Sequence, residues 1–439
     1  MLAVLLIVSV VPFLIEMVLL SRALAYARRE RRTERPPYAP RAAVIAPHFG
    51  WDAQAEANAR RLLEQDYPGE YHVLFVTHLD GDGCPDESYR RLQQLTAGST
   101  RARVLLAPNV VDNRLGRSQK AENLITALAA VPEEVEVFAL IDAAAGIGGD
   151  WLARLVRPLQ EEGVGVATGA RFYAPLVPSV ASYTEAVWVN YQIALYGDRH
   201  IGMVWGGSSA IRREIFERGG VLARWRQALF EDQDLTRTVA ELGKRIHFVP
   251  DCIPVSYTGE PGWRRVLEFT NRQMAVTYWM KLRVSWWLAI THLLPKGAAF
   301  LAAIPLTIHA PERFSVLLAV PLLESMSYLL FTRTLPDSLR EDLRIRRTMY
   351  LTSLAVPAAL LLGGINALWA PFKRSIVWGG VRYAYRRPEG CRILGRVAAP
   401  PAESRERAWE VVVRRARAPL ARLLGVGSGY GLENLSEED

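Results

Sequence analysis

Met1 to Leu20 is almost entirely apolar, broken only by Ser9, Pro12 and Glu16, and six arginines follow at once: Arg22, Arg28, Arg29, Arg31, Arg32 and Arg35. A run of that length suits a helix crossing a bilayer far better than an element of a water-exposed domain. A secretory signal peptide carries its positive charge in front and a small-residue cleavage site behind. Here the order is reversed, so a retained anchor is expected over residues 1–21. The arginines on its carboxyl side put the N-terminus outside and the following residues in the cytoplasm, because short flanking segments rich in Lys and Arg stay inside.

The remainder is too polar for a protein made mainly of spans. Of 439 residues 50% are hydrophobic, mean hydropathy is +0.06 and the net charge is +8. Such a chain buries a sizeable core, which excludes wholesale disorder, and its length accommodates one large catalytic domain plus a membrane part. Cys84, Cys252 and Cys391 lie far apart without CxxC spacing, which argues against a disulfide scaffold or a zinc–cysteine site. The positive charge clusters beside apolar segments, where anionic headgroups account for it; nucleic acid is not an expected partner.

Apolar runs return at Trp286–Ile308, Phe314–Phe331 and Met349–Ala370. His292, Pro295 and Lys296 interrupt the first, and Trp286-Trp287 reads as an interfacial belt, so two spans plus one segment that is interfacial or spanning, the interfacial reading favoured, are expected across 284–371. An even number of spans also returns the basic segment with Lys373, Arg374, Arg382, Arg386 and Arg387 to the cytoplasm, as a tail over 372–439. The expected location is therefore the cell membrane, multi-pass, with a cytoplasmic catalytic domain over 41–283.

That middle region reads as α/β. Ala42–Ala46, Tyr71–Thr77, Val104–Leu106 and Val135–Ile141 are short apolar runs of buried-strand type, separated by helical stretches at 51–65, 88–95 and 118–130. Strand–helix alternation gives a parallel sheet, and ligands bind at the carboxyl ends of its strands. Pro47-His48-Phe49-Gly50, the His78–Asp86 loop and Asp142 fall there. In the loop, His78, Asp80 and Asp82 suit contact with a nucleotide base or ribose, while the Asp-Gly pairs equally suit a plain turn. Asp142 ends the most apolar strand and precedes Ala143-Ala144-Ala145-Gly146. A carboxylate there suits a divalent cation neutralising a diphosphate, or else a helix N-cap. Glu231-Asp232-Gln233-Asp234 puts three carboxylates in four residues before a helix, fit for catalysis or simply for the helix dipole. Trp205-Gly206-Gly207-Ser208-Ser209 upstream allows close backbone approach to a ligand. Arg272-Gln273, beside Phe269, Tyr278 and Trp279, suits a diphosphate or sugar ring, or an interfacial anchor.

In sequence order these pieces resemble a membrane-anchored family 2 glycosyltransferase of the ceramide glucosyltransferase-like branch. The resemblance is carried by Pro47–Gly50; by Leu115-Gly116-Arg117-Ser118-Gln119-Lys120 with Asn123-Leu124; by Asp142 with Trp151-Leu152; by Trp205 to Arg213; by Glu231-Asp232 with Asp234-Leu235-Thr236; by Arg272-Gln273; and by Gly379-Gly380-Val381-Arg382-Tyr383. It implies a GT-A fold, a nucleotide-diphosphate sugar donor such as a UDP-sugar, and inversion at the anomeric carbon with transfer to a membrane lipid. Asp232 matches the catalytic base, with Glu231 beside it. Donor contacts fall on Pro47, His78, Asp80, Asp82, Lys120, Asp142, Gly207, Ser208, Arg272 and Gln273. Asp142 is the implied ligand of a divalent cation, Mg or Mn, although Ala144 stands where many relatives place a second carboxylate. The Arg-Trp end of the family's QxxRW element is missing, with Val276-Thr277 following and Trp279 shifted. The alternatives are a processive polysaccharide synthase and a catalytically silent sugar-nucleotide-binding relative.

Overall fold

The computed structural model describes residues 2–397 except 81, 199, 280–285, 288, 315, 316, 318 and 387–389. Arg387, the 283/284 boundary and the end of the expected tail lie outside the described residues.

Strand β1 (Ala42–Pro47) shows how the sequence makes the sheet. Its residues alternate between two faces, and both faces are buried: Ala42, Val44 and Ala46 enter one core, Ala43 and Ile45 the other. β2 (Tyr71–His78) divides in the same way, Val73 and Phe75 against Leu74 and Val76, and β4 (Val137–Ile141) likewise, Val137, Ala139 and Ile141 against Phe138 and Leu140. Burial on both faces is why these strands read as continuous apolar runs rather than alternating ones. With β3 (Ala102–Ala107), β5 (Val164–Thr168), β7 (Ser208–Arg212) and β8 (Arg245–Phe248) they form a seven-stranded sheet of order β3-β2-β1-β4-β7-β5-β8. β6 (Phe172–Pro175) pairs in parallel with β9 (Val255–Thr258) in a separate ribbon. Pairing is parallel from β3 to β4 and between β5 and β8; β7 alone runs antiparallel to both neighbours. The expected α/β class is therefore observed.

The reversed strand positions the functional residues. Register pairs Ile141 with Ser208, so the turn leading into β7 meets the carboxyl end of β4, and Asp142 N donates to the Gly207 carbonyl at 3.2 Å. Two tryptophans fix the layers from opposite sides. Trp151 Nε1 donates to Ser208 Oγ at 2.9 Å, and Trp225 Nε1 to the Glu231 carbonyl at 3.1 Å.

Among the described residues two helices are long and apolar enough to cross a membrane, Leu2–Arg32 and Ala289–His309. By length and composition the second, which overlaps Trp286–Ile308, has spanning length. Its 21 residues span about 31 Å at roughly 1.5 Å each, the thickness of a hydrocarbon core. Pro295 lies inside this helix, just after the π-helical turn Ala289–Leu293, a local widening of the kind found where the regular hydrogen-bond ladder is interrupted. Lys296 and His292 both pair with Glu16 of the N-terminal helix. The expected Phe314–Phe331 run contains a helix of only 13 residues, Ala319–Phe331. The Met349–Ala370 run is bent by 66° between Leu343–Ser353 and Val356–Phe372.

The arginines after the apolar run also make contacts. Arg22 pairs with Asp198 at 2.7 Å and Arg35 with Glu161 at 2.8 Å, while Tyr26 donates to the Phe248 carbonyl at 2.7 Å. The start of the expected basic tail is ordered: β10 (Ile376–Trp378), β11 (Val381–Arg386) and β12 (Gly390–Arg396) form an antiparallel sheet. It packs on the α/β unit, with Trp378 stacked on Phe230 at 5.8 Å and Tyr383 OH accepting from Gln119 N at 3.2 Å.

Candidate active site

Four elements deliver charge to one place. Ser118 caps the helix Gln119–Leu128, accepting from Ala121 N, and Lys120 leaves its first turn. Asp142 ends β4. Glu231 and Asp232 open the helix Glu231–Glu241, and Arg171 directly precedes β6. Lys120 Nζ lies 2.7 Å from Asp142 Oδ1 and 2.7 Å from Glu231 Oε1. Arg171 Nη2 lies 2.8 Å from Asp142 Oδ2, and its guanidinium rests on the Trp205 ring at 5.0 Å. Asp232 Oδ2 accepts from Gly206 N at 3.3 Å.

The glycines are required by this packing. A Cβ on Gly206 would run into the Glu231 carboxylate and come within 3.3 Å of Asp232 Cβ. A Cβ on Gly207 would strike the Trp205 ring and lie 2.7 Å from Asp142 Oδ2. Larger residues would push both carboxylates out of place.

The charges set the protonation states. Burial raises the Asp142 carboxyl, but Lys120 and Arg171 outweigh it and hold the group below the usual carboxylate range. For Lys120, burial favours the neutral amine, while Asp142, Glu231 and Asp232 overcome that and keep it protonated. Asp232 goes the other way: burial first, then the neighbouring Glu231, push it up to about 7, against Lys120 and the Gly206 N–H. A carboxyl near neutrality is matched to accepting a proton at physiological pH. Asp234 stands apart; burial pushes it up to about 6, opposed by Arg224 and Arg237.

The structure brings together Lys120, Asp142, Gly207, Glu231 and Asp232. Ser208 faces inward: it is fully buried, accepts from Trp151 and donates to the Cys252 carbonyl at 3.2 Å, so its hydroxyl is engaged in the core. Pro47 ends β1, and His78 ends β2, stacked on Phe49 at 5.3 Å. Asp80 accepts from Asp82 N and Cys84 N, both at 2.9 Å, which is a turn-forming role, and Asp82 is exposed. Arg272 lies over Phe269 at 5.4 Å and donates to the Val377 carbonyl at 3.2 Å; Gln273 is half-buried on the same helix. Arg171 went unrecognised in the sequence. Its only signal is a lone cation inside the otherwise apolar and small run Ala167–Pro175.

A divalent cation does not fit this donor set as it stands. Asp142 Oδ1 and Oδ2 are each held by a protein cation, Glu231 shares Lys120, and Ala144 supplies no side-chain oxygen. Among the described residues no group of three or more His, Cys, Asp or Glu side chains is disposed to hold a metal.

The family model described as glycosyl transferase family 21 matches residues 2–390. No curated protein matches the chain. Among solved structures, the mannosyltransferase PcManGT from Pyrobaculum calidifontis in complex with GDP-Man and Mn2+ is similar, with 19% identity, coverage of 83% of this chain and 99% of that one, and a TM-score of 0.43.

Proposed function

The chain belongs to glycosyl transferase family 21 and is a glycosyltransferase of GT-A type; from that premise we propose that it moves a sugar from a nucleotide-diphosphate donor to a membrane lipid, with inversion, using Asp232 as base. The observation that carries this reading is Asp232 itself, half-buried beside the buried Glu231, fixed by Gly206 N–H and pushed up to about 7. In a single displacement the acceptor oxygen attacks the anomeric carbon, its proton passes to the Asp232 carboxylate, and the donor's diphosphate leaves with the electron pair of the broken C–O bond. One base suffices, which is why inversion goes with this site. A positioned carboxylate contributes about 10²–10⁴-fold to such a step. The donor, a UDP-sugar in our reading, lies over the carboxyl ends of β1, β2 and β4, with Pro47 and His78 toward the base and Arg272-Gln273 toward the sugar and diphosphate.

The lipid acceptor is supported by the two membrane-length helices and by a mostly apolar cavity of about 230 Å³ whose lining includes Leu20, Val187, Trp188, Met203 and Leu360, with Glu16 and His292 at its polar part. Met203 is two residues before Trp205, so one wall of that cavity continues into the turn that holds Asp232. In our reading the protein is multi-pass, with the α/β unit in the cytoplasm where sugar nucleotides are made. Incubating membranes with a panel of labelled sugar nucleotides and extracting the lipids tests the proposal. Label in a lipid fraction is the expected result; label only in polymer supports a processive synthase, and no transfer or donor hydrolysis supports a silent relative.

A further inference from the structure

We propose that Lys120 is a built-in cation, its ammonium occupying the point between Asp142 and Glu231 where a divalent metal would sit, and that Arg171 and Arg272 meet the donor's diphosphate in place of that metal. The inference rests on the reading of the site as a sugar-nucleotide site.

Two carboxylates from different elements converge on the Lys120 nitrogen at equal distances of 2.7 Å. Like charges brought together in a buried place require a cation between them. Here the chain supplies it from the first turn of its own helix. The second oxygen of Asp142 is answered by Arg171 at 2.8 Å. A divalent ion entering this point would meet the Lys120 charge head-on and would have to displace one of the two cations from Asp142.

The diphosphate then meets the part of Arg171 not engaged by Asp142 together with a second guanidinium, Arg272. Arg171 lies over Tyr173 at 5.7 Å, Tyr173 packs on Phe269 at 6.1 Å, and Arg272 lies over Phe269 at 5.4 Å. The two arginines thus flank one aromatic pair. Arg171 Nε is buried with no hydrogen-bond partner, and Arg272 donates to the Val377 carbonyl rather than to a carboxylate. Planar guanidinium groups bind phosphate oxygens bidentately, and stacking on aromatic faces pre-orients them. An orphaned, buried N–H on a cation beside a second cation is a site that an anion completes.

The test uses the full-length protein in nanodiscs. Binding of UDP, GDP, CDP, ADP and dTDP is measured by calorimetry in EDTA and again with Mn²⁺, and Mn²⁺ binding to the protein alone is followed by the EPR signal of the free ion. We expect at least one nucleotide to bind in EDTA, with an affinity within about threefold of that in Mn²⁺, under roughly 1 kcal/mol. We also expect wild-type protein to leave the free Mn²⁺ signal unchanged. Arg171→Gln and Arg272→Gln each weaken nucleotide binding about tenfold, and unchanged binding in both overturns their role. Lys120→Ala frees Asp142 and Glu231 and takes Mn²⁺ from solution; a folded variant that does not overturns the assignment of that point. If Lys120→Ala fails to fold, the wild-type comparison decides alone. Binding that appears only with Mn²⁺ overturns the proposal and leaves the sugar-nucleotide reading standing. No binding under either condition overturns both.

Discussion

Among the described residues two lysines each bridge two carboxylates, Lys120 half-buried and Lys296 buried, and their surroundings differ. Lys120 joins Asp142 and Glu231; Lys296, 2.6 Å from Glu324, joins it to Glu16. At the first, Asp142 keeps 22% and Lys120 15% of side-chain exposure. Two glycines, an orphaned Arg171 N–H and a near-neutral Asp232 border it. At the second, Lys296 is 1% and Glu324 0% exposed, while Glu16 and His292 border the apolar cavity beside Leu20 and Val187. Glu16 also accepts from Tyr191 and Ser327 and faces His292 at 3.2 Å. Three helices, Leu2–Arg32, Ala289–His309 and Ala319–Phe331, close around that cluster. The same charge triad serves two ends. Where one side is open to a glycine turn it holds reactive groups in place; where the lysine and one carboxylate are sealed between helices it fastens apolar helices that could not otherwise carry charge.

Substitutions sharpen or break this contrast. The largest expected effect is on chemistry: Asp232→Asn keeps the shape and removes the base, so transfer falls by about 10²–10⁴-fold with melting temperature and nucleotide binding nearly unchanged. Next is stability. Lys296→Met strands two carboxylates in the interhelical cluster and is expected to cost about 3–5 kcal/mol, read as unfolding in detergent, while the fraction that remains folded binds nucleotide normally. A stable Lys296→Met would break the distinction between fastening and function. Gly207→Ala is expected to weaken nucleotide binding about tenfold, roughly 1.4 kcal/mol, because its methyl group displaces Trp205 and the Asp142 carboxylate; calorimetry measures it. The smallest effect is Glu231→Gln, which keeps a hydrogen-bond acceptor near Lys120 and is expected to slow transfer by about tenfold or less. A larger loss there than in Asp232→Asn would move the base to Glu231.

The sheet was legible because each strand buries both faces and so announces itself as an apolar run. Asp142 was legible because it ends the most apolar of those runs. Lys120 came only through resemblance: nothing in a basic residue at a helix start says that its ammonium spans two other elements. Arg171 was missed because its significance lies in Asp142, Trp205 and Phe269, all distant in sequence. Long-range pairing also accounts for the charges in the Ala289–His309 helix. His292 and Lys296 look disqualifying for a span until Glu16, 280 residues before Lys296, is found against them. Ser208 read as part of a ligand turn because glycines precede it, yet strand alternation points its hydroxyl into the core. Within the basic segment after 372, the alternation in Val381–Arg386 builds a strand whose Tyr383 is buried against the α/β unit.

The role of Asp232 is tested most directly by the pH dependence of single-turnover transfer in wild type and Asp232→Asn. Only the carboxylate form accepts the acceptor's proton, so activity is lost as the group protonates. With Asp232 pushed up to about 7, the wild-type rate is expected to rise about tenfold per pH unit below neutrality and to level off above it. The variant should keep a low rate without that rise. The same rise in both proteins, or a variant as fast as wild type, would contradict Asp232 as the base.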